Sequence, residues 1–124
     1  MSIKQKKRSG FEQRMADVLE GDGFLYEPFS VPYVSHHKYT PDFTLANVLV
    51  EAKGWFRPGD RQKYKAIRDS LGEDFELVFL LQYPEKKVSK GAQLTMAGWC
   101  TKEGLQWFSD PQLLSDYVHS GDYS

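Results

Sequence analysis

Several things are scarce in this chain, and each scarcity excludes something. Among 124 residues there is one cysteine, Cys100, so no internal disulfide can form and a reducing compartment is expected. Cys100 lies in an apolar helical context and reads as core, not as a nucleophile. No apolar run approaches the ~20 residues of a membrane span, and no hydrophobic signal region opens the chain. A cytoplasmic protein without a membrane partner is therefore expected. Internal repeats and composition breaks are also lacking, which leaves a single domain. Excess charge is missing too. Sixteen Lys and Arg against 17 Asp and Glu give a net charge of −1, which does not by itself announce a nucleic-acid binder.

The local absences say more. Lys4, Lys6, Lys7 and Arg8 form a basic arm with no acid among them, whereas from Asp110 onward there are three aspartates and no Lys or Arg. Such an arm either reaches for phosphates or is a solvated tail. Hydrophobic content of 40% and charged content of 27% are those of a folded domain with one modest core. The expected layout is a flexible arm over residues 1–8, a domain over 9–119 and a flexible tail over 120–124.

The centre of that domain is the stretch Tyr39 to Gly54. Phe43 and Leu45, then Val48 and Val50, alternate on either side of Ala46-Asn47, which predicts two strands joined by a tight turn. Glu51 and Lys53, two apart, share one face. With Ala46-Asn47 as a two-residue turn, Asp42 falls opposite Glu51, and like charges so opposed are destabilising. Either one carboxylate keeps a proton or a cation lies between them. Two hard oxygen ligands beside an ammonium suit Mg²⁺, with Mn²⁺ as its substitute, and a catalytic lysine. The same residues also read as a turn aspartate after Pro41 and an exposed polar edge. Ala-Asn is not a favoured hairpin turn, so the register is open by one residue.

Around the hairpin, Ser9 to Leu19 reads as a helix with a capping box of Ser9 and Glu12, an apolar stripe of Phe11, Met15, Val18 and Leu19, and a stop at Gly21-Asp22-Gly23. Residues 24–34 are extended, and Pro28 and Pro32 confine them to an edge or a bulged strand. Residues 35–38, including His36 and His37, read as a polar loop. A helix is expected from Asp60 to Leu71, with Tyr64, Ile67 and Leu71 inside and a basic stripe of Arg61, Lys65 and Arg68, which suits a DNA backbone or simply water. Residues 77–81 should be a strand buried on both faces at the sheet centre. An exposed basic loop (85–91), a helix (94–103), a short strand (105–108) and a helix opening at Asp110-Pro111 complete a mixed α/β domain.

Pro41-Asp42 … Glu51-Ala52-Lys53 resembles the Pro-Asp … (Asp/Glu)-x-Lys signature of restriction-enzyme-like nucleases. Arg8-Ser9-Gly10-x-Glu12, Val31-Pro32-Tyr33-Val34, Tyr39-Thr40-Pro41-Asp42-Phe43 and Val50-Glu51-Ala52-Lys53-Gly54 are similar to the phage endonuclease I family of Holliday-junction resolvases. So are Asp60-Arg61-x-Lys63, Ile67-Arg68, Lys90-Gly91 and Cys100-x-Lys102-x-Gly104, and the likeness runs from about residue 8 to 118. The resemblance implies a mixed central sheet flanked by helices and a Mg²⁺-dependent deoxyribonuclease acting on branched DNA in the host cell during recombination. Its products would be a 5′-phosphate and a 3′-hydroxyl. Asp42, Glu51 and Glu12 would hold metal, with Lys53 completing the catalytic set. Lys6, Lys7, Arg8, Arg57, Arg61, Lys65, Arg68 and Lys90 are the candidate DNA contacts. The family forms homodimers by exchanging strands; here the 35–38 link is shorter than the family's bridge and a lysine-rich C-terminal tail is missing. A nicking endonuclease on the same residues, and a non-catalytic DNA-binding module, are the alternatives.

Overall fold

The computed structural model describes residues 9–33 and 37–121. Helix α1 (Gly10–Leu19) starts where Ser9, in extended conformation, lets its hydroxyl accept from the Glu12 amide at 3.0 Å. It buries Phe11, Met15, Ala16 and Leu19, and a short 3-10 turn hands it to Gly23, whose φ of 99° only glycine adopts readily. Val18, assigned to the stripe by spacing, is only half-buried.

The extended segment after α1 is two strands, not one. Strand β1 (Leu25–Tyr26) joins the edge of the main sheet, and β2 (Val31–Tyr33) pairs antiparallel with β3 (His37–Tyr39) in a separate ribbon. Pro28 falls in the break between them, where no ladder hydrogen bond is lost. The expected polar loop over 35–38 is thus corrected at its end: His37 and Lys38 are strand residues opposite Tyr33 and Pro32. Pro32 is tolerated because a two-stranded ribbon consists of edges alone.

Strand β4 (Phe43–Leu45) and strand β5 (Val48–Lys53) form the hairpin, turning at Ala46-Asn47 with Leu45 opposite Val48. After helix α2 (Asp60–Leu71), strand β6 (Glu76–Leu81) pairs parallel with β5. Helix α3 (Met96–Lys102), strand β7 (Gln106–Phe108), parallel to β6, and helix α4 (Pro111–Ser120) complete the chain. The main sheet runs β1-β4-β5-β6-β7, so β5 is central and β6 stands beside it. Two parallel pairs linked by helices and two antiparallel pairs, β1–β4 and the β4–β5 hairpin, make the mixed sheet of a restriction-endonuclease-like α/β fold.

Two cores follow from the period of two along β5 and β6. Leu49, Leu77, Phe79 and Leu81 face α2 and α3, whereas Val48, Val50, Val78 and Leu80 face α1 and α4. Phe79 is fully buried and meets Phe56, Tyr64 and Trp99 edge-on, with ring centroids 6.2, 5.1 and 6.0 Å away. Each such side chain contributes roughly 1.5–3 kcal/mol by burial. Cys100 belongs to this core, and burial pushes its thiol up to about 12. The 85–91 loop is exposed, as expected, at every residue but one. Val88 is buried, and Lys87 bridges Thr95 just before α3. Among the described residues no helix is long and apolar enough to cross a membrane.

Candidate active site

Asp42 ends the hairpin, and the ladder breaks there. Phe43 lies opposite Val50, yet the Asp42 amide also bonds to the Val50 carbonyl at 3.0 Å. This one-residue slip is a bulge-like irregularity. It corrects the expected pairing: Asp42 is not the cross-strand partner of Glu51. The Asp42 carboxylate takes up the vacated ladder position, where Oδ2 accepts from the Ala52 amide at 2.9 Å. Its carbonyl accepts from the Glu27 amide at 2.9 Å, which carries the neighbouring edge chain past it.

That contact brings in a residue that sequence reasoning missed. Glu27 stands just past β1 with φ of 45°, a conformation costly for a side-chain-bearing residue and common where a site over-determines its backbone. One ligand oxygen each from Glu12, Glu27 and Asp42 lie within 4.8 Å of one another. Glu12 is further held by the Tyr26 hydroxyl, which donates to its Oε2 at 3.0 Å. Three carboxylates converge from α1, from the residue after β1 and from the residue before β4. Only the register of β1 against β4 (Tyr26 opposite Phe43) sets Glu27 beside Asp42, and the sequence does not state that register. The available signal was an acid interrupting a mostly apolar edge segment immediately before Pro28.

Glu51 is buried and points to the α2 side. Tyr39 donates to its Oε1 at 2.6 Å and Tyr64 to its Oε2 at 3.0 Å. Both phenols are held well above their ordinary value, by burial first and by the Glu51 charge next; Asp42 adds to both. They therefore remain donors at neutral pH. The Lys53 ammonium lies 3.6 Å from Glu51 Oε2 and 3.7 Å from Asp60 Oδ2, with the Tyr64 ring 5.1 Å beneath it. Asp60, buried in the first turn of α2, also accepts from the Arg57 amide at 2.8 Å. It thus ties the loop after β5 to the lysine. At Gly54 a Cβ would stand 3.0 Å from Gln82 Oε1, so any larger residue would push that side chain aside by a few tenths of an ångström. Glu12, Lys53, Gly54 and Gln82 help line a cleft of about 320 Å³.

Of the cations named from sequence, Lys6, Lys7 and Arg8 lie outside the described residues. Arg57, Arg61 and Lys90 line one groove of about 740 Å³, together with Lys86 and Lys87. Arg68 has other occupations. It donates to the Glu103 carbonyl and to Glu103 Oε1, and it pairs with Asp69 at 3.0 Å. Lys65 reaches Glu103 Oε2 at 3.9 Å, so this half of the basic stripe ties α2 to the end of α3.

The Glu12–Glu27–Asp42 point offers three carboxylate oxygens, a donor set that fits a hard divalent cation better than a soft one. Beside it stand one oriented carboxylate and one oriented ammonium, an arrangement equipped to handle a charged oxyanion such as a phosphodiester. Residues 2–119 match the family model described as phage endonuclease I. The chain is 37% identical over 118 residues to Endonuclease I of Escherichia phage T7, covering 90% of this chain and 77% of that protein. It is 40% identical over 105 residues to Endodeoxyribonuclease 1 of Enterobacteria phage T3, covering 79% and 68%. With the motif, the mixed sheet and the full span of the match in agreement, this chain belongs to the phage endonuclease I family.

Proposed function

We propose that the protein is a Mg²⁺-dependent DNA endonuclease that hydrolyses phosphodiester bonds in branched DNA, in the manner of a Holliday-junction resolvase. The observation that carries this reading is the convergence of Glu12, Glu27 and Asp42 within 4.8 Å, next to the Glu51–Lys53 pair. Mg²⁺, or Mn²⁺ in its place, would be held by Asp42, Glu12 and Glu27, with Glu51 adjoining. When bound there, such a cation lowers the pKa of a water and neutralises charge on the scissile phosphate.

The rest is the work of the chain. Lys53 presents positive charge where negative charge builds on the phosphate, and its position is set by Glu51 and Asp60 at once. Glu51 cannot swing away from Lys53 without giving up two tyrosine hydrogen bonds. Arg57, Arg61 and Lys90, which line one groove beside the cleft, supply phosphate contacts along the cut strand. Clean resolution of a junction needs two sites related by a two-fold axis, so a homodimer belongs to the same proposal. Such an enzyme would act on DNA inside the host cell.

Supercoiled plasmid and a synthetic four-way junction, each with Mg²⁺, Mn²⁺ or EDTA, provide the test. Cleavage is expected with either metal, and Asp42→Ala, Glu51→Ala and Lys53→Ala should each lower it by roughly a hundredfold or more. Binding to the junction in EDTA should persist in all three. A wild-type protein that binds DNA and cuts nothing is a binding module, and a Glu51→Ala protein of normal rate removes the site.

A further inference from the structure

The catalytic cleft and the basic groove meet at one side chain that no part of this chemistry requires. Trp55 follows Lys53 by two residues and lines both cavities, as does Arg57. Its neighbour Phe56 is buried against Phe79 and Trp99 and anchors the loop. The indole of Trp55 is thereby turned out and 53% exposed. The Arg57 guanidinium lies 5.9 Å from the ring centroid, close enough for a cation–π contact that steadies the indole. The groove beyond carries Arg57, Arg61, Lys86, Lys87 and Lys90, and no acidic residue among the described residues lines it.

A strand whose scissile phosphate sits by Lys53 continues into this groove, its phosphates following the cations and its next base passing the indole. In a continuous duplex that base is stacked between its neighbours and offers no face. At a branch, a nick or a mismatch it is unstacked, and an exposed aromatic ring is a platform for it. We propose that Trp55 is a specificity-determining residue, a stacking platform that favours DNA whose bases are unstacked beside the scissile phosphate. This rests on the nuclease reading above, and the platform deepens it by supplying a means of preferring interrupted helices over intact ones.

The test uses the full chain with a four-way junction and a continuous duplex, each carrying 2-aminopurine next to the cleavage position. In EDTA, wild-type protein should change 2-aminopurine fluorescence in the junction and leave it nearly constant in the duplex. Trp55→Ala should lose that change, and Trp55→Phe should keep most of it. With Mg²⁺, kcat/KM on the junction should fall roughly tenfold or more for Trp55→Ala, and by much less on the duplex. Equal losses on both substrates, or an unchanged fluorescence response, would overturn the platform. Wild-type protein that shows the fluorescence change but cuts neither DNA would leave the platform standing and remove the nuclease reading instead.

Discussion

Glu12 is the residue at which two explanations compete. Its amide is half of a helix cap, donating to the Ser9 hydroxyl, while its carboxylate is drawn to Tyr26 and to the cluster with Glu27 and Asp42. Gln serves as well as Glu in a capping box, so a capping role alone predicts a silent Glu12→Gln change. The cluster predicts otherwise, because a neutral amide is the poorer ligand for a hard cation. Glu12→Gln is expected to lose roughly a hundredfold in plasmid nicking with its melting temperature within ~2 °C of wild type. Normal nicking would return the residue to the cap. The tyrosines that hold Glu51 make a prediction in pH. Tyr39 and Tyr64 keep their protons to higher pH folded than unfolded, because burial, and after it the Glu51 charge, raises both. The native state therefore binds more protons above the unfolded value of about 10, and the stability this pair contributes is complete below it and declines as pH rises past it. Urea unfolding from about pH 8 to about pH 11 should show that decline. It should be shallower in Tyr64→Phe, which starts lower by about 1.5–3 kcal/mol for the lost bond to a carboxylate. A slope identical in the two proteins would place the titration elsewhere.

At the scale of elements, the hairpin was the most legible part of the chain and also the least conventional. Alternation placed β4 and β5 on either side of Ala46-Asn47 with the register left open by one residue, and helix α2 spans the expected Asp60 to Leu71. The turn is made by Ala46 at φ of 54°, a left-handed conformation that alanine adopts at a cost. The ladder on either side compensates for it. Ala46→Gly should relieve that strain and stabilise the protein by about 0.5–1 kcal/mol, or roughly 3–5 °C in Tm, without changing cleavage. A lower Tm would mean that the greater freedom of glycine in the unfolded chain outweighs the relief. Other features were not readable, and for identifiable reasons. The slip at Asp42 depends on its side chain replacing a backbone acceptor for Ala52, and no periodicity records such a substitution. Glu27 joins the site through the pairing of a two-residue strand, too short to have a pattern. His37 and Lys38 looked like a loop because their partners lie across a ribbon that carries proline. The tie between Arg68 and Glu103 was not readable because the two lie 35 residues apart in sequence.

The whole molecule poses the question of number. One copy carries one cluster of Glu12, Glu27 and Asp42 and one basic groove among its described residues, and on the proposed function one such site cuts one strand. Resolving a four-way junction requires two opposed cuts within one bound lifetime, and two-fold symmetric DNA is matched by a two-fold pair of chains. The β2–β3 ribbon is the natural element for a pair to share. It lies outside the main sheet, Val31 and Tyr39 bind it to the α2 core, and Pro32 makes it a poor strand for any sheet interior. In this chain the two strands pair with each other, and an exchanged pair of chains would make the same ladder with the partner's strand instead. Light scattering at micromolar protein is therefore expected to give twice the 14.3 kDa chain mass, alone and on a junction. Dilution until the pair dissociates should convert linear plasmid product to nicked product while strand scission continues. A stable single-chain species on its own and on DNA, yielding nicked plasmid at every concentration, would make the protein a nicking endonuclease: the same carboxylates and lysine, without the symmetry that resolution demands.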